Sequence, residues 1–254
     1  MAKLFNKIRR QLVSEEPSAR RTSNYLKYAI GEIVLVMIGI LLALQINNWN
    51  EQKKSDRFEL KMLKEIKTAI EDDNTYLQKL LDTRIKDLDS FCKVLMNMLK
   101  QDHINPDEFN KYALKIGFGF VFQYSDGAYE ALKASGIDKV TNDSLRNELI
   151  HFYDFVGPRT TKLINYVSGE NSHQNLDDLK WQIFEYDVVQ TDNSTFIDEV
   201  RYKLEDYKDE RFLRYLDSKS NEARNGQSRI SGYIRVSKEV LELLDKELNK
   251  RSND

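Results

Sequence analysis

The sequence predicts an all-α protein: one N-terminal membrane-spanning helix, then an antiparallel helical bundle whose first and last helices are long. Three observations predict it. Residues 28–46, YAIGEIVLVMIGILLALQI, are apolar except for Glu32 and Gln45. The chain holds only 3 Pro and 10 Gly in 254 residues and is rich in Lys, Glu, Leu and Asp, a helical composition. Beyond the apolar run, apolar residues recur at steps of three and four.

Residues 1–24 form a basic tail. Lys3, Lys7, Arg9, Arg10, Arg20 and Arg21 face only Glu15 and Glu16. Leu4, Phe5, Ile8 and Leu12 share one helical face, which suits either a short helix on an anionic membrane surface or a disordered tail.

Residues 25–49 are read as the membrane helix. About 19 apolar residues at about 1.5 Å each cross roughly the hydrocarbon core of a bilayer. Tyr25, Lys27 and Tyr28 at one end, with Trp49 at the other, suit the headgroup level. Gln45 spoils Ala43-Leu44-Gln45 as a cleavage site, so the anchor is read as uncleaved. The excess of Lys and Arg before the span places the N-terminus in the cytoplasm and residues 50–254 outside it.

Within the span, Gly31, Gly39 and Ala43 lie on one face, and small residues there let two helices approach closely. Glu32 neighbours that face. A carboxylate there is protonated, paired near Lys27 and Tyr28, buried against a partner helix, or close enough to the interface to reach water. These four residues are the candidate helix-pairing set.

The segment 27–51, KYAIGEIVLVMIGILLALQINNWNE, resembles the signature of a family of uncharacterised single-span proteins of Gram-negative bacteria. The stretch Tyr129-Glu130-Ala131-Leu132-Lys133-Ala134-Ser135-Gly136 is similar to a second, weaker motif of that family. The resemblance implies an inner-membrane anchor with a helical domain of unknown function. It implies no catalytic or ligand residues.

After the span, Leu63, Ile66, Ile70, Leu77 and Leu80, then Leu81, Ile85, Leu88, Cys92, Leu95 and Leu99, form one stripe whose register slips by one near Leu80 and Leu81. Unbroken, residues 50–100 make a helix of about 75 Å. A bend is expected at Glu71-Asp72-Asp73-Asn74, and Cys92 is placed in the core. Asn105-Pro106-Asp107-Glu108 starts a helix that ends near Gly117. Phe118, Phe120, Phe122 and Tyr124 then alternate with Gly119, Val121 and Gln123. This period-two stretch is read as an extended loop over the bundle, with core packing favoured over a ligand or partner surface.

Ser125 or Asp126 caps a short helix closed by Gly136, and Asn142 or Asp143 caps the next, with Leu145, Leu149, Phe152 and Val156. Gly157-Pro158 closes that helix or opens another. Leu176, Leu179, Ile183 and Tyr186 read as a helical stripe, and residues 190–195 as a polar connection. From about Asp209 a heptad seam runs through Leu213, Leu216, Ser220, Ala223, Gln227, Ile230, Ile234, Ser237, Leu241, Leu244 and Leu248. Asn225-Gly226 and Gly232 are its weak points. The matching lengths predict that this last helix runs back antiparallel along the first.

The chemistry-bearing residues are scattered. His103, His151 and His173 lack a second ligand at metal spacing, and no nucleophile elbow or phosphate loop is present. Lone Cys92 leaves no intramolecular disulfide or Cys-rich zinc site. A net charge of −2 gives no support for nucleic acid. The expected function is non-enzymatic: a membrane-anchored interaction or scaffold protein with no cofactor or metal. Its expected partners are membrane lipid and either further copies of itself or another membrane protein. The alternative is a sensory ectodomain that binds a small ligand and signals through a partner.

Overall fold

The computed structural model describes residues 19–168, 176–191 and 194–252. The basic stretch 1–18 and His173 lie outside them. The chain divides into two units, Met1–Arg57 and Phe58–Asp254.

The described part of the first unit belongs to helix α1, Ala19–Leu80. Between Tyr28 and Arg57 no side chain is buried, including the whole apolar run. Short-range contacts serve its polar end, where Lys53 sits 3.7 Å from the Trp49 ring centre and Lys54 pairs with Glu51 at 3.0 Å.

The second unit is built on a long antiparallel pair. One arm is the rest of α1, a π-helical turn at Leu81–Ile85 and α2, Lys86–Met98. The other is the last helix, α8, Glu210–Ser252. Polar pairs give the register: Glu59 with Arg251, Lys67 with Asp245, and Asn74 with Ser237. Leu63, Ile66, Ile70, Leu77, Ile85, Leu88, Cys92 and Leu95 are buried, the stripe expected from the spacing.

The expected bend at 71–74 is absent, because helix runs through it and Asp73 and Asn74 make tertiary hydrogen bonds instead. The interruption falls where the stripe slips. A π turn holds an extra residue, so it returns Ile85 and Leu88 to the buried face.

Between the arms lie α3, Pro106–Ile116; α4, Gly127–Gly136; α5, Asp143–Ile150; and α6, Gly157–Ser168. The Asn105 side chain accepts from the N–H groups of Asp107 and Glu108, and Asn142 accepts from Leu145, so both asparagines cap as their sequence contexts require. Gly136, at φ +108°, ends α4. Neither Ser125 nor Asp126 caps α4 with its side chain, since Ser125 is bonded to Asp73. A second π turn, His151–Val156, joins α5 to α6. Pro158 has no N–H and crowds the preceding turn, and the wider turn absorbs it without ending the helix.

The fold class needs one correction. Helix α7, Leu176–Ile183, stops where the expected stripe continues, and an antiparallel hairpin follows: β1, Phe184–Thr191, and β2, Ser194–Tyr202. The register pairs Phe184 with Tyr202 and Tyr186 with Val200, and shifts between Asp187 and Val188. That irregularity breaks the period-two pattern, so the strand is hidden from a periodicity search. The hairpin base packs Phe184 and Tyr202 against Phe109 and Phe212 through edge-on ring contacts.

The α8 seam also needs correcting. The row Leu216, Ala223, Ile230, Ser237 and Leu244 is buried as expected. Phe212, Lys219, Gly226, Tyr233, Val240 and Glu247, one residue before the expected companion row, are buried too, and of the expected row Ser220 and Ile234 are buried. Leu213 and Gln227, assigned to the seam, are exposed. The helix is unbroken at Asn225-Gly226 and Gly232.

Gly226 and Gly232 therefore have opposite reasons to exist. A Cβ on Gly226 would stand 2.2 Å from the Phe120 ring, whereas one on Gly232 would meet nothing within 4 Å. Gly226→Ala is expected to destabilise by about 1–3 kcal/mol through overpacking, although alanine is the better helix former. Gly232→Ala is expected to stabilise by about 0.5–1 kcal/mol. Denaturant unfolding of both variants checks the pair, and a stabilised Gly226→Ala would contradict the notch.

Candidate interaction site

Residues 117–126 cross the arms as an aromatic ribbon. Two side chains of the first arm fix its ends. Arg84, on the first π turn, donates from Nε to the Gly119 carbonyl at 3.1 Å. Asp73 accepts from the Ser125 N–H at 2.7 Å and from its hydroxyl at 2.9 Å. Eleven helical residues separate these anchors, about 16 Å. Six ribbon residues at about 3.3 Å each reach about 20 Å, so an extended chain covers that distance with slack. Alternating burial agrees: Phe120 and Phe122 are buried, while Gly119, Val121 and Gln123 are exposed.

Glycines receive the rings. Phe120 fills the Gly226 notch, and a Cβ on Gly157 would stand 2.6 Å from the Tyr124 ring. Phe122 and Tyr124 pack on Tyr233, and Tyr153 stacks on Tyr129 at 4.5 Å and 10°. Core packing thus accounts for Phe120 and Phe122. Phe118 departs from it, being 47% exposed beside the Arg84 guanidinium.

Beneath Gly119 lies a buried polar cluster. Lys219 pairs with Glu222 at 2.8 Å, and both are buried. Burial pushes the Glu222 carboxyl up against the pull of Lys219 and lowers Arg84. Glu222 Oε1 and Arg84 Nη2 have no hydrogen-bond partner. Burial also pushes the nearby Cys92 thiol up to about 12, which makes it an inert core group.

A second buried cluster clasps the chain near residue 59. Arg251 bonds Glu59 at 2.6 Å, Glu247 at 2.7 Å and the Thr141 hydroxyl at 2.7 Å. The Thr141 N–H donates to Glu59, and the Asn142 amide donates to Glu247. Burial raises Glu247, but its Asn142 and Arg251 bonds outweigh this and hold it below its ordinary value. One guanidinium thus joins α1, α8 and the loop before α5.

An open groove of about 590 Å³ runs beside the ribbon. Phe122, Gln123, Tyr124 and Asp126 form one wall, and Pro158, Thr161 and Lys162 of α6 form the other. Among the described residues no group of His, Cys, Asp and Glu side chains is placed to hold a metal ion. His103 and His151 are exposed, the latter 3.4 Å from Glu148.

The expected pairing set, Gly31, Glu32, Gly39 and Ala43, lies in the first unit, fully on the exposed helix. No side chain lies within 4 Å of a Cβ built at Gly31 or Gly39.

The model of a family of unknown function, DUF6090, matches residues 32–170, more than half of the chain. The chain belongs to this family. The match takes in most of the 27–51 segment, the aromatic ribbon and the Tyr129–Gly136 stretch, and it ends at the polar residues after α6. Comparison with the curated proteins and with the solved structures gives no match.

The Arg251 clasp predicts a reversal of pH dependence. In the wild type, Glu247 is held below its ordinary 4.5, so its contribution is present above that pH and is lost as pH falls through the depressed value. Arg251→Met leaves two buried carboxylates without their cation. Expected are a loss of about 3 kcal/mol near neutral pH and stability that falls as pH rises, because burial, no longer offset by Arg251, then lifts the Glu247 carboxyl above its unfolded value. Unfolding midpoints between pH 4 and 8 check it, and a parallel pair of curves would refute it.

Proposed function

We propose that the protein is a membrane-anchored helical interaction module without catalytic activity. The observation that carries this is the exposed run at 28–46. In a 62-residue helix, an apolar stretch long enough to cross a bilayer has no buried side chain. In water so much exposed apolar surface is unfavourable, and in lipid it is matched. Seven Lys and Arg residues precede the run, against Lys53, Lys54, Arg57, Lys61 and Lys64 just after it, and this count supports a cytoplasmic N-terminus and an inner-membrane protein whose second unit lies outside the cytoplasm. Membrane lipid is then the first partner.

Interaction, not chemistry, is favoured by how the buried charges are used. Glu59, Glu247 and Arg251 tie helices together, and Lys219 and Glu222 sit under the ribbon. Helix pairing through Gly31, Gly39 and Ala43, beside Glu32, would bring two copies or a second membrane protein together. The groove beside the ribbon favours one other reading, a sensory ectodomain that binds a small ligand and signals through a partner.

Two measurements test the anchor. A C-terminal alkaline phosphatase fusion is expected to be active and a C-terminal cytoplasmic reporter inactive, with the chain resisting carbonate extraction from membranes. The opposite pattern would reverse the topology, and carbonate release would remove the anchor. For helix pairing, amine crosslinking in native membranes is expected to join Lys53 or Lys54 of neighbouring chains, and Gly39→Leu to abolish the link. Persistence of the link in Gly39→Leu would move the contact elsewhere.

A further inference from the structure

We propose that the first half of the aromatic ribbon is a strap with two states, held shut by Arg84 on the Gly119 carbonyl and released when the same guanidinium turns to Glu222. This goes beyond the interaction reading above and does not depend on it.

Geometry supplies the first argument. Arg84 and Glu222 come from opposite arms and meet at one ribbon residue. Arg84 Nε lies 3.1 Å from the Gly119 carbonyl oxygen, and Glu222 Oε1 lies 3.0 Å from where a Gly119 Cβ would stand. Each group keeps one buried atom without a hydrogen-bond partner among the described residues, Arg84 Nη2 and Glu222 Oε1. The two are complementary, since Nη2 donates and Oε1 accepts. Lys219 bonds the other carboxylate oxygen, Oε2, at 2.8 Å and so leaves Oε1 to Arg84. A buried charged atom without a partner is costly, which favours the Arg84–Glu222 bond. The guanidinium is a rigid planar fork, so aiming Nη2 at Glu222 withdraws Nε from Gly119.

Packing supplies the second argument. Phe120 fills the notch at Gly226, one helical turn along α8 from Glu222, and its burial keeps the shut state in the majority. Phe118, on the near side of that notch, is 47% exposed. On the far side Tyr124 lies against Gly157, and Ser125 is bonded to Asp73. The moving part is therefore residues 118–121.

Electrostatics gives the direction. Glu222 faces Lys219 on its own helix, Arg84 on the π turn and the Cys92 thiol on α2. Asp87 acts on Arg84, and Asp89 and Arg224 act on Cys92. Lys180 of α7 stands 6.0 Å from the Phe118 ring centre. In the shut state burial lifts the Glu222 carboxyl above its ordinary value. A bond to Arg84 lowers it again, so the released state holds fewer protons. The strap therefore releases as pH rises through the shut-state value of Glu222, and the ratio of states levels off at lower pH, where both are protonated. Burial also lifts Asp73, at the far end of the ribbon, and that contribution is common to the wild type and both variants below.

The test places 4-fluorophenylalanine at position 120 of the full chain in lipid nanodiscs and reads its fluorine resonance from pH 5 to 8. The wild type is expected to show a buried signal and a solvent-exposed one. The exposed share is expected to grow about tenfold with pH, the change that follows when one group's pKa differs by about one unit between two states. Glu222→Gln keeps the shape and removes the charge, so the exposed share is expected to stay low at every pH. Arg84→Gln is expected to raise the exposed share through the weakened Gly119 bond, yet to leave it level with pH. Purely structural roles for the two residues would move the baseline in the variants and keep the wild-type pH slope. A single buried signal at every pH in the wild type, or a slope that survives in Glu222→Gln, would overturn the proposal.

Discussion

The burial of α8 along α1 and α2 is the interaction on which the rest of the second unit depends. It carries the largest apolar stripe and sets the register that the shorter elements follow. Its seam has two rows of different character. One is apolar or small throughout, Leu216 to Leu244, and drives association. The other mixes Phe212 and Val240 with Lys219, Gly226, Tyr233 and Glu247, and these last four position everything attached to the pair. Lys219 joins the cluster beneath Gly119, Gly226 admits Phe120, Tyr233 supports the ribbon, and Glu247 belongs to the clasp.

Polar groups inside such a seam are costly unless bonded, and here they specify alignment. Sliding α8 by one turn would leave Glu59 without Arg251 and set Gly226 away from Phe120. The two π turns do related work. The first restores the stripe after its slip and carries Arg84 to the Gly119 carbonyl. The second carries the chain past Pro158 and sets Gly157 against Tyr124. Each ends up holding part of the ribbon, so irregularity in the helices and placement of the candidate site share one cause.

Much of the helical layout was legible because burial in a long helix leaves a repeating mark. The stripe from Leu63 to Leu95, the caps at Asn105 and Asn142, and the slip near Leu80 were all readable. The hairpin was not, because its register shift breaks the alternation, and Val188 and Val189 are exposed rather than packed. The companion seam row escaped for a different reason. A hydrophobic pattern search skips lysine, glycine and glutamate, and Phe120 and Asn142, which Gly226 and Glu247 meet, lie far away in sequence. The ribbon's alternation was visible, but its anchors at Asp73 and Arg84 were not, since both look like ordinary charges on a solvated helix face.

By itself the sequence determined the apolar run at 28–46 and the long first and last helices with their antiparallel pairing. These follow from local period and composition, which each segment carries alone. Tertiary structure decided which α8 row faces inward, that 184–202 is a hairpin, and that the ribbon is tied to Asp73 and Arg84 beside a groove. Those depend on contacts between residues tens to hundreds of positions apart, such as Arg251 with Glu59 and Asp73 with Ser125. No local pattern encodes such a contact, because its energy exists only once both partners have been brought together.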